Sequence, residues 1–290
     1  MARKVWIEAA LNGPWGRSRQ PGIPVTEREI ITDGIKAARA GAAIIHVHAY
    51  DVLSGRQKDD ADAYSRIIEG IRSQADVIVY PTIPISGSPL SGTTSSSKDR
   101  FDHVRILASR GLIEMTVVDP GSVNFSSREE TAQDFEAFTY LNSEADVRYG
   151  LSLSRDSGIR PSFAIYEPGF TRLGATIAAA TPGLKPPLYR FMFTDGFAWG
   201  FPPEIFGLDA HLKLLELEVS SPLWMIAGLR VDLRSLIGPA VERGGHVRAG
   251  LEDAPFGCQS SNLALIEAAV KLVREAGGEP ATAAEVRERG

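Results

Sequence analysis

The chain has 290 residues, a hydrophobic fraction of 43%, a formal net charge of -5 and one cysteine, Cys258. That length and apolar share suffice for one large α/β domain, while the acidic balance and the lack of any Lys/Arg run exclude the footprint of a nucleic-acid or anionic-membrane partner. A lone cysteine rules out an intramolecular disulfide, no apolar run approaches the roughly 18 residues of a membrane span, and M-A-R-K-V-W-I-E enters a strand without a signal-peptide core, so a cytoplasmic protein is expected.

Lys4 to Ala10 reads as a buried first strand, followed by a loop rich in Gly, Pro and Arg from Asn12 to Pro24. Thr26 and Glu29 have capping-box spacing, Ile30, Ile31, Ile35 and Ala38 recur at helical intervals, and Gly41 ends that helix. The second strand is the run Ala42 to Asp51, A-A-I-I-H-V-H-A-Y-D, which carries two histidines two residues apart. A helix through Tyr64, Ile67, Ile68 and Ile71 leads to the third strand, Asp76 to Pro84. The Ser/Gly stretch Ser86 to Ser97 is read as a lid or a solvated loop, and the helix Lys98 to Arg110 then precedes the fourth strand, Ile113 to Asp119. One long helical region is expected from Arg128 to Ser157, closed by Gly158 before the fifth strand, Pro161 to Glu167. The pattern continues with a helix Phe170 to Ala180, a strand Leu188 to Asp195, a helix from Pro202-Pro203-Glu204 to about Glu218, and a strand Leu223 to Leu229. It finishes with a helix Leu233 to Arg243, an eighth strand His246 to Leu251, and a closing amphipathic helix Asn262 to Ala276.

Eight apolar strands alternating with helices is the arithmetic of a (β/α)8 TIM barrel, expected here as a single domain over residues 1–290 with a charged tail, Glu279 to Gly290, that frays. An open doubly wound sheet is disfavoured because no G-x-G-x-x-G follows the first strand. Polar residues instead gather at many strand ends: Asn12, His48, Thr82, Asp119, Glu167, Asp195, Arg230 and Asp253. Asn12, Thr82 and Glu167 are taken as candidate substrate contacts. Histidines His103 and His211 fall in helices, and His246 at the base of the last strand reads as structural.

Alternate residues of a strand share a face, so His46 and His48 point the same way. In the eighth strand Arg248, Gly250 and Glu252 share a face by the same rule, and only strand one separates strands two and eight around a barrel. Two neutral imidazoles and a carboxylate make an open divalent site, with zinc the expected ion. Arg248 places a permanent cation beside it, suited to a carboxylate or a developing oxyanion, and Asp253 is positioned to act as a general base. The plainer alternative makes Glu252-Asp253 an N-cap for the last helix and Arg248 its salt-bridge partner.

G-G-H-V-R-A-G-L-E-D (Gly244 to Asp253), with I-I-H-V-H-A and Y-P-T-I-P at matching spacings, resembles the β-keto acid cleavage enzyme family, best known for 3-keto-5-aminohexanoate cleavage. The resemblance implies a (β/α)8 barrel that binds Zn2+ through His46, His48 and Glu252. By the same resemblance Asp253 is the catalytic base, Arg248 the oxyanion stabiliser and Thr82 a substrate-contacting hydroxyl. The implied reaction joins a β-keto acid to acetyl-CoA and yields acetoacetate plus a new acyl-CoA. Departures touch the substrate. Trp15 beside Asn12-Gly13 stands where family members are acidic, Ser162 and Ala164 replace acidic residues of the amino-keto acid enzymes, and Asp119 stands where asparagine is less surprising. A neutral-tailed substrate is therefore expected. Arg17, Arg19 and Arg230 are candidates for CoA phosphates, and a homo-oligomer is expected because barrels of this size commonly associate. The rivals are a metal-dependent hydrolase of the amidohydrolase type, whose histidine pair ends strand one, an acyl-CoA lyase or aldolase, whose pair lies late in the barrel, and a metal sensor, which needs no base.

Overall fold

Eight parallel strands follow one another round a ring in the computed structural model, which describes residues 2–86, 96–133 and 137–289. They are β1 (Ile7–Ala10), β2 (Ile44–Val47), β3 (Ile78–Pro81), β4 (Met115–Val117), β5 (Arg160–Ile165), β6 (Leu188–Phe193), β7 (Leu223–Gly228) and β8 (His246–Ala249). The hydrogen-bonded order is β3-β2-β1-β8-β7-β6-β5-β4, and β4 lies against β3 to bring the ring nearly closed. Buried residues dominate every strand, as expected where helices cover the outside and side chains fill the inside. The expected TIM barrel is present.

Eight helices alternate with the strands: α1 (Glu27–Ala40), α2 (Ala61–Arg72), α3 (Asp102–Ser109), α4 (Glu144–Ser157), α5 (Pro168–Ala179), α6 (Ile205–Glu218), α7 (Arg234–Glu242) and α8 (Asn262–Glu275). The capping box at the start of α1 is formed, with Thr26 Oγ1 accepting from the Glu29 N–H at 3.2 Å and the Glu29 carboxylate accepting from the Thr26 N–H at 2.9 Å. Among the described residues no helix is long and apolar enough to cross a membrane.

Two expectations are corrected. The region Arg128 to Ser157 is not one helix: a short helix Arg128–Ala132 and a strand Thr139–Tyr140 precede α4, and that strand pairs antiparallel with Val123–Asn124. Ser127 and Ser143 each close a separate capping box, so this sequence contains two helix starts. The C-terminal tail does not fray either. Gly278–Pro280 pairs in parallel with Arg3–Val5 beneath the barrel, the helix Ala283–Glu288 follows, and Arg287 forms ion pairs with Glu114 and Asp76. Most of the Ser/Gly stretch read as a lid, residues 87–95, lies outside the described residues.

Candidate active site

At the catalytic end of the barrel, β2 carries His46 and the chain just beyond it carries His48, both buried. His46 packs on Tyr80 of β3, with ring centroids 4.7 Å apart. Asn12, at the end of β1, holds His48 by its backbone: its amide nitrogen donates to the His48 carbonyl at 2.9 Å and its oxygen accepts from the His48 N–H at 2.9 Å. Because the same nitrogen also donates to Pro24 O, Asn12 is fully spent on main chain and does not reach the cavity. The substrate contact expected of Asn12 is thereby replaced by a positioning role.

A small hairpin after β2, Tyr50–Asp51 with Arg56–Gln57, orients the His48 ring. Gln57 donates its amide N–H groups to Asp59 and Ile83 O, so its oxygen is the acceptor that faces His48 Nδ1 at 2.8 Å. Nδ1 is therefore the donor to Gln57, and Nε2 faces Glu252 Oε1 at 3.5 Å. Burial drives the His46 pKa well below its ordinary value, which leaves a neutral imidazole there.

Glu252 reaches the same point from the segment after β8. Gly250 makes the approach possible: at φ +151, a Cβ on it would lie 2.0 Å from Ala10 O, and this close packing lets the Glu252 N–H donate to Ala10 O at 3.2 Å. Gly13 is the other half of the fit, since a Cβ there would meet the Glu252 side chain at 2.6 Å. Trp15, whose indole N–H donates to Glu252 O at 3.0 Å, lies over the ligand segment and lines the cavity.

One ligand atom from each of His46, His48 and Glu252 lies within 4.8 Å of the other two. The His48 Nε2 and Glu252 Oε2 atoms are buried without a hydrogen-bond partner among the described residues, and His46 Nε2 lies 3.8 Å from Glu252 Oε2. Buried lone pairs left unpaired are costly, and a divalent cation is the group that satisfies two imidazoles and a carboxylate together.

Behind this trio, Arg248 holds three carboxylates: Asp253 at 2.7 Å, Glu252 at 2.8 Å and Glu8 at 3.1 Å. Burial works against ionisation of Glu252, but Arg248, His46 and His48 together outweigh it and keep that carboxyl well below its ordinary pKa. With one guanidinium shared three ways, burial wins at Asp253, whose pKa is pushed up to about 6. Asp253 does not line the cavity that holds the trio. It lines a second cavity, and Arg248 forms the wall between the two.

Thr82, just past β3, does line the main cavity, and its carbonyl accepts from His103 Nε2 at 2.8 Å. Glu167, at the N-terminus of α5, accepts from the Gly200 N–H at 3.2 Å and is not among the residues that line this cavity. The remaining wall is aromatic and was not anticipated. Phe125, Phe138 and Tyr140 come from the hairpin after β4, and Tyr166 comes from the end of β5. Across from β2, Arg190 on β6 also lines the cavity, a charge in the middle of an apolar strand. Arg19 and Arg230 lie over the ring of Phe256, which lines the second cavity, with guanidinium carbons 5.7 and 4.7 Å from its centroid, while Arg17 is paired with Glu29.

Residues 4–289 match the model of a family described as beta-keto acid cleavage enzyme. The chain belongs to that family. Among characterised relatives of this β-keto acid cleavage family, the chain is 26% identical to the 3-dehydrocarnitine:acetyl-CoA trimethylamine transferase of Rhizobium meliloti, covering 100% of this chain and 97% of the relative. It is likewise 26% identical to the 3-keto-5-aminohexanoate cleavage enzyme of Fusobacterium nucleatum, with 99% and 98% covered. The solved complex of ObcA with oxaloacetate has the same barrel, with a TM-score of 0.69 at 18% identity over 94% of this chain and 68% of ObcA.

Proposed function

We propose that this protein is a zinc-dependent β-keto acid cleavage enzyme that transfers the two-carbon unit of its substrate onto acetyl-CoA, giving acetoacetate and a new acyl-CoA. The observation that carries the reading is the buried trio His46, His48 and Glu252 beside Arg248, in a chain of this family. Zinc suits two nitrogens and one oxygen with positions left open, and when bound it would polarise the substrate keto group and acidify the carbon next to it. Acetyl-CoA enters because the Rhizobium relative is named for its use.

The protein's own residues divide the remaining work. Asp253 takes the proton from the carbon between keto group and carboxylate, which a carboxylate with a pKa near 6 is well matched to do. Since Arg248 stands between Asp253 and the cavity, substrate binding turns the guanidinium toward the developing oxyanion and frees the carboxylate in the same motion. The carbanion attacks the acetyl carbonyl, CoA thiolate leaves, and the thiolate then attacks the original keto carbon. Acetoacetate departs as its carbanion and recovers the proton from Asp253. Thr82 offers its hydroxyl to the substrate, and Arg19 and Arg230, over the Phe256 ring, receive CoA phosphates.

Ser162 and Ala164 supply no carboxylate, Asp119 is already bound by Tyr140 and Ala164 N, and the wall is aromatic, so the substrate tail carries no primary ammonium. A neutral tail is the first reading. A quaternary ammonium is the second, favoured by the rings of Trp15, Phe125, Tyr140 and Tyr166, because aromatic faces attract such cations without a hydrogen bond. The test is acetyl-CoA-dependent formation of acetoacetate from 3-oxohexanoate, 3-dehydrocarnitine and 3-keto-5-aminohexanoate, with zinc measured in the same sample. The expected order places the 5-amino acid last. No acetoacetate from any acid in zinc-replete protein would overturn the reading.

A further inference from the structure

Arg190 is buried at 3% exposure and opens onto the main cavity, yet it is barely held. Among the described residues its Nε has no partner, and its Nη2 sits 3.5 Å from Ser162 O and 3.8 Å from the Asp119 carboxylate. The nearer options for Asp119 are already taken, since its oxygens accept from the Tyr140 hydroxyl at 2.7 Å and the Ala164 N–H at 3.1 Å. Burial works against its charge and the nearby Glu8 and Asp119 support it, but its N–H groups without a close acceptor leave room for an anion arriving from the cavity.

We propose that Arg190 receives the carboxylate of the β-keto acid, an assignment that rests on the reaction class proposed above. A planar guanidinium with unused N–H groups matches a carboxylate in two-point geometry, and that carboxylate is the one group shared by every β-keto acid. Arg248 is not available for the task, because before substrate binds its nitrogens serve Glu8, Glu252 and Asp253, and afterwards it turns to the developing oxyanion. In the ring order β6 stands opposite β2, so a substrate anchored on Arg190 stretches across the mouth toward His46 and His48. Its keto group then meets the metal trio, and its reactive carbon lies between the two anchors. Among the described lining residues Arg190 is the one cation with donors free, so the site is built for one carboxylate. Diacids gain nothing from it over monoacids.

The test is calorimetric titration of 3-oxohexanoate and of the diacid 3-oxoadipate into wild type, Arg190→Met and Arg190→Lys, with thermal unfolding of each protein before ligand is added. Arg190→Met should weaken both acids by the same factor, roughly tenfold to a hundredfold, with Arg190→Lys between it and wild type. The unliganded Arg190→Met protein should melt at or above the wild-type temperature, because a poorly paired buried charge has been removed. Unchanged binding of both acids would overturn the assignment. A loss confined to the diacid would do so too, by giving Arg190 to a tail carboxylate, and so would a much lower melting temperature, by making Arg190 a structural partner of Asp119. Binding is read without acetyl-CoA, so a wild-type protein that binds the acids but does not cleave them defeats the reaction class and leaves the carboxylate result standing.

Discussion

Arg248 and Arg190 are both buried arginines on the inner wall of the barrel, two strands apart, and the fold treats them in opposite ways. Arg248 is saturated: its Nε lies 3.0 and 3.1 Å from the two Asp253 oxygens, its Nη1 3.1 Å from Glu8 and its Nη2 2.7 Å from Asp253. Among the described residues Arg190 has a single marginal hydrogen bond and one distant ion pair. A saturated buried cation holds neighbouring acids in place, whereas one with donors to spare points to what the cavity receives. The His46, His48 and Glu252 trio sits on the saturated side, where Arg248 fixes Glu252.

The sharpest way to break this contrast is to remove both cations in turn. Arg248→Met leaves Glu8, Glu252 and Asp253 buried together without a counter-charge, and a loss of about 3–5 kcal/mol in unfolding free energy is expected at neutral pH. Denaturant unfolding of Arg248→Met and Arg190→Met side by side reads this directly, and equal losses in the two would erase the distinction between them. A smaller effect is expected from Asp253→Asn, which keeps a side chain of the same shape against Arg248. Turnover should fall by about a hundredfold to ten-thousandfold with the metal content unchanged. Near-normal turnover would remove Asp253 from proton transfer.

His211 shows a third treatment of a buried basic group. It stacks on Phe191 at 4.5 Å in a nearly parallel arrangement, neither ring nitrogen has a partner among the described residues, and burial pushes its pKa down to about 3. Unlike an arginine, it meets burial by staying neutral. Because the folded pKa lies below the unfolded value of 6.5, the unfolded chain binds more protons between about pH 3 and 6.5, and stability falls as pH drops through that window. In His211→Phe that part of the acid sensitivity should vanish, a relative gain of about 2 kcal/mol at pH 5 over pH 7. Parallel pH profiles for the two proteins would show that His211 is not a source of it.

Much of this was legible in the sequence. The eight strands and the convergence of His46, His48 and Glu252 follow from period-two alternation and barrel order alone, both of which are local or topological rules. Asn12 and Glu167 bond to main chain, a choice not legible in the sequence because a polar residue at a strand end can serve main chain or cavity, and which it serves depends on segments distant in sequence: His48 and Pro24 for one, Gly200 for the other. The aromatic wall was hidden by reading 128–157 as one helix. The signal was present, since Ser127 with Glu130 and Ser143 with Asp146 mark two capping boxes. Arg190 also left a trace, a charge inside the apolar run L-Y-R-F-M-F, which attention to strand ends passed over.

The central claim is that the trio of His46, His48 and Glu252 binds the ion on which acetyl-CoA-dependent cleavage depends. It is tested most directly by titrating zinc into metal-stripped protein while following acetoacetate formed from acetyl-CoA and a β-keto acid. Activity is expected to rise with added zinc and level off at one ion per chain, while His46→Ala, folded as judged by circular dichroism, stays flat throughout. Full activity in the stripped protein, or a His46→Ala titration that overlays the wild type, would contradict it.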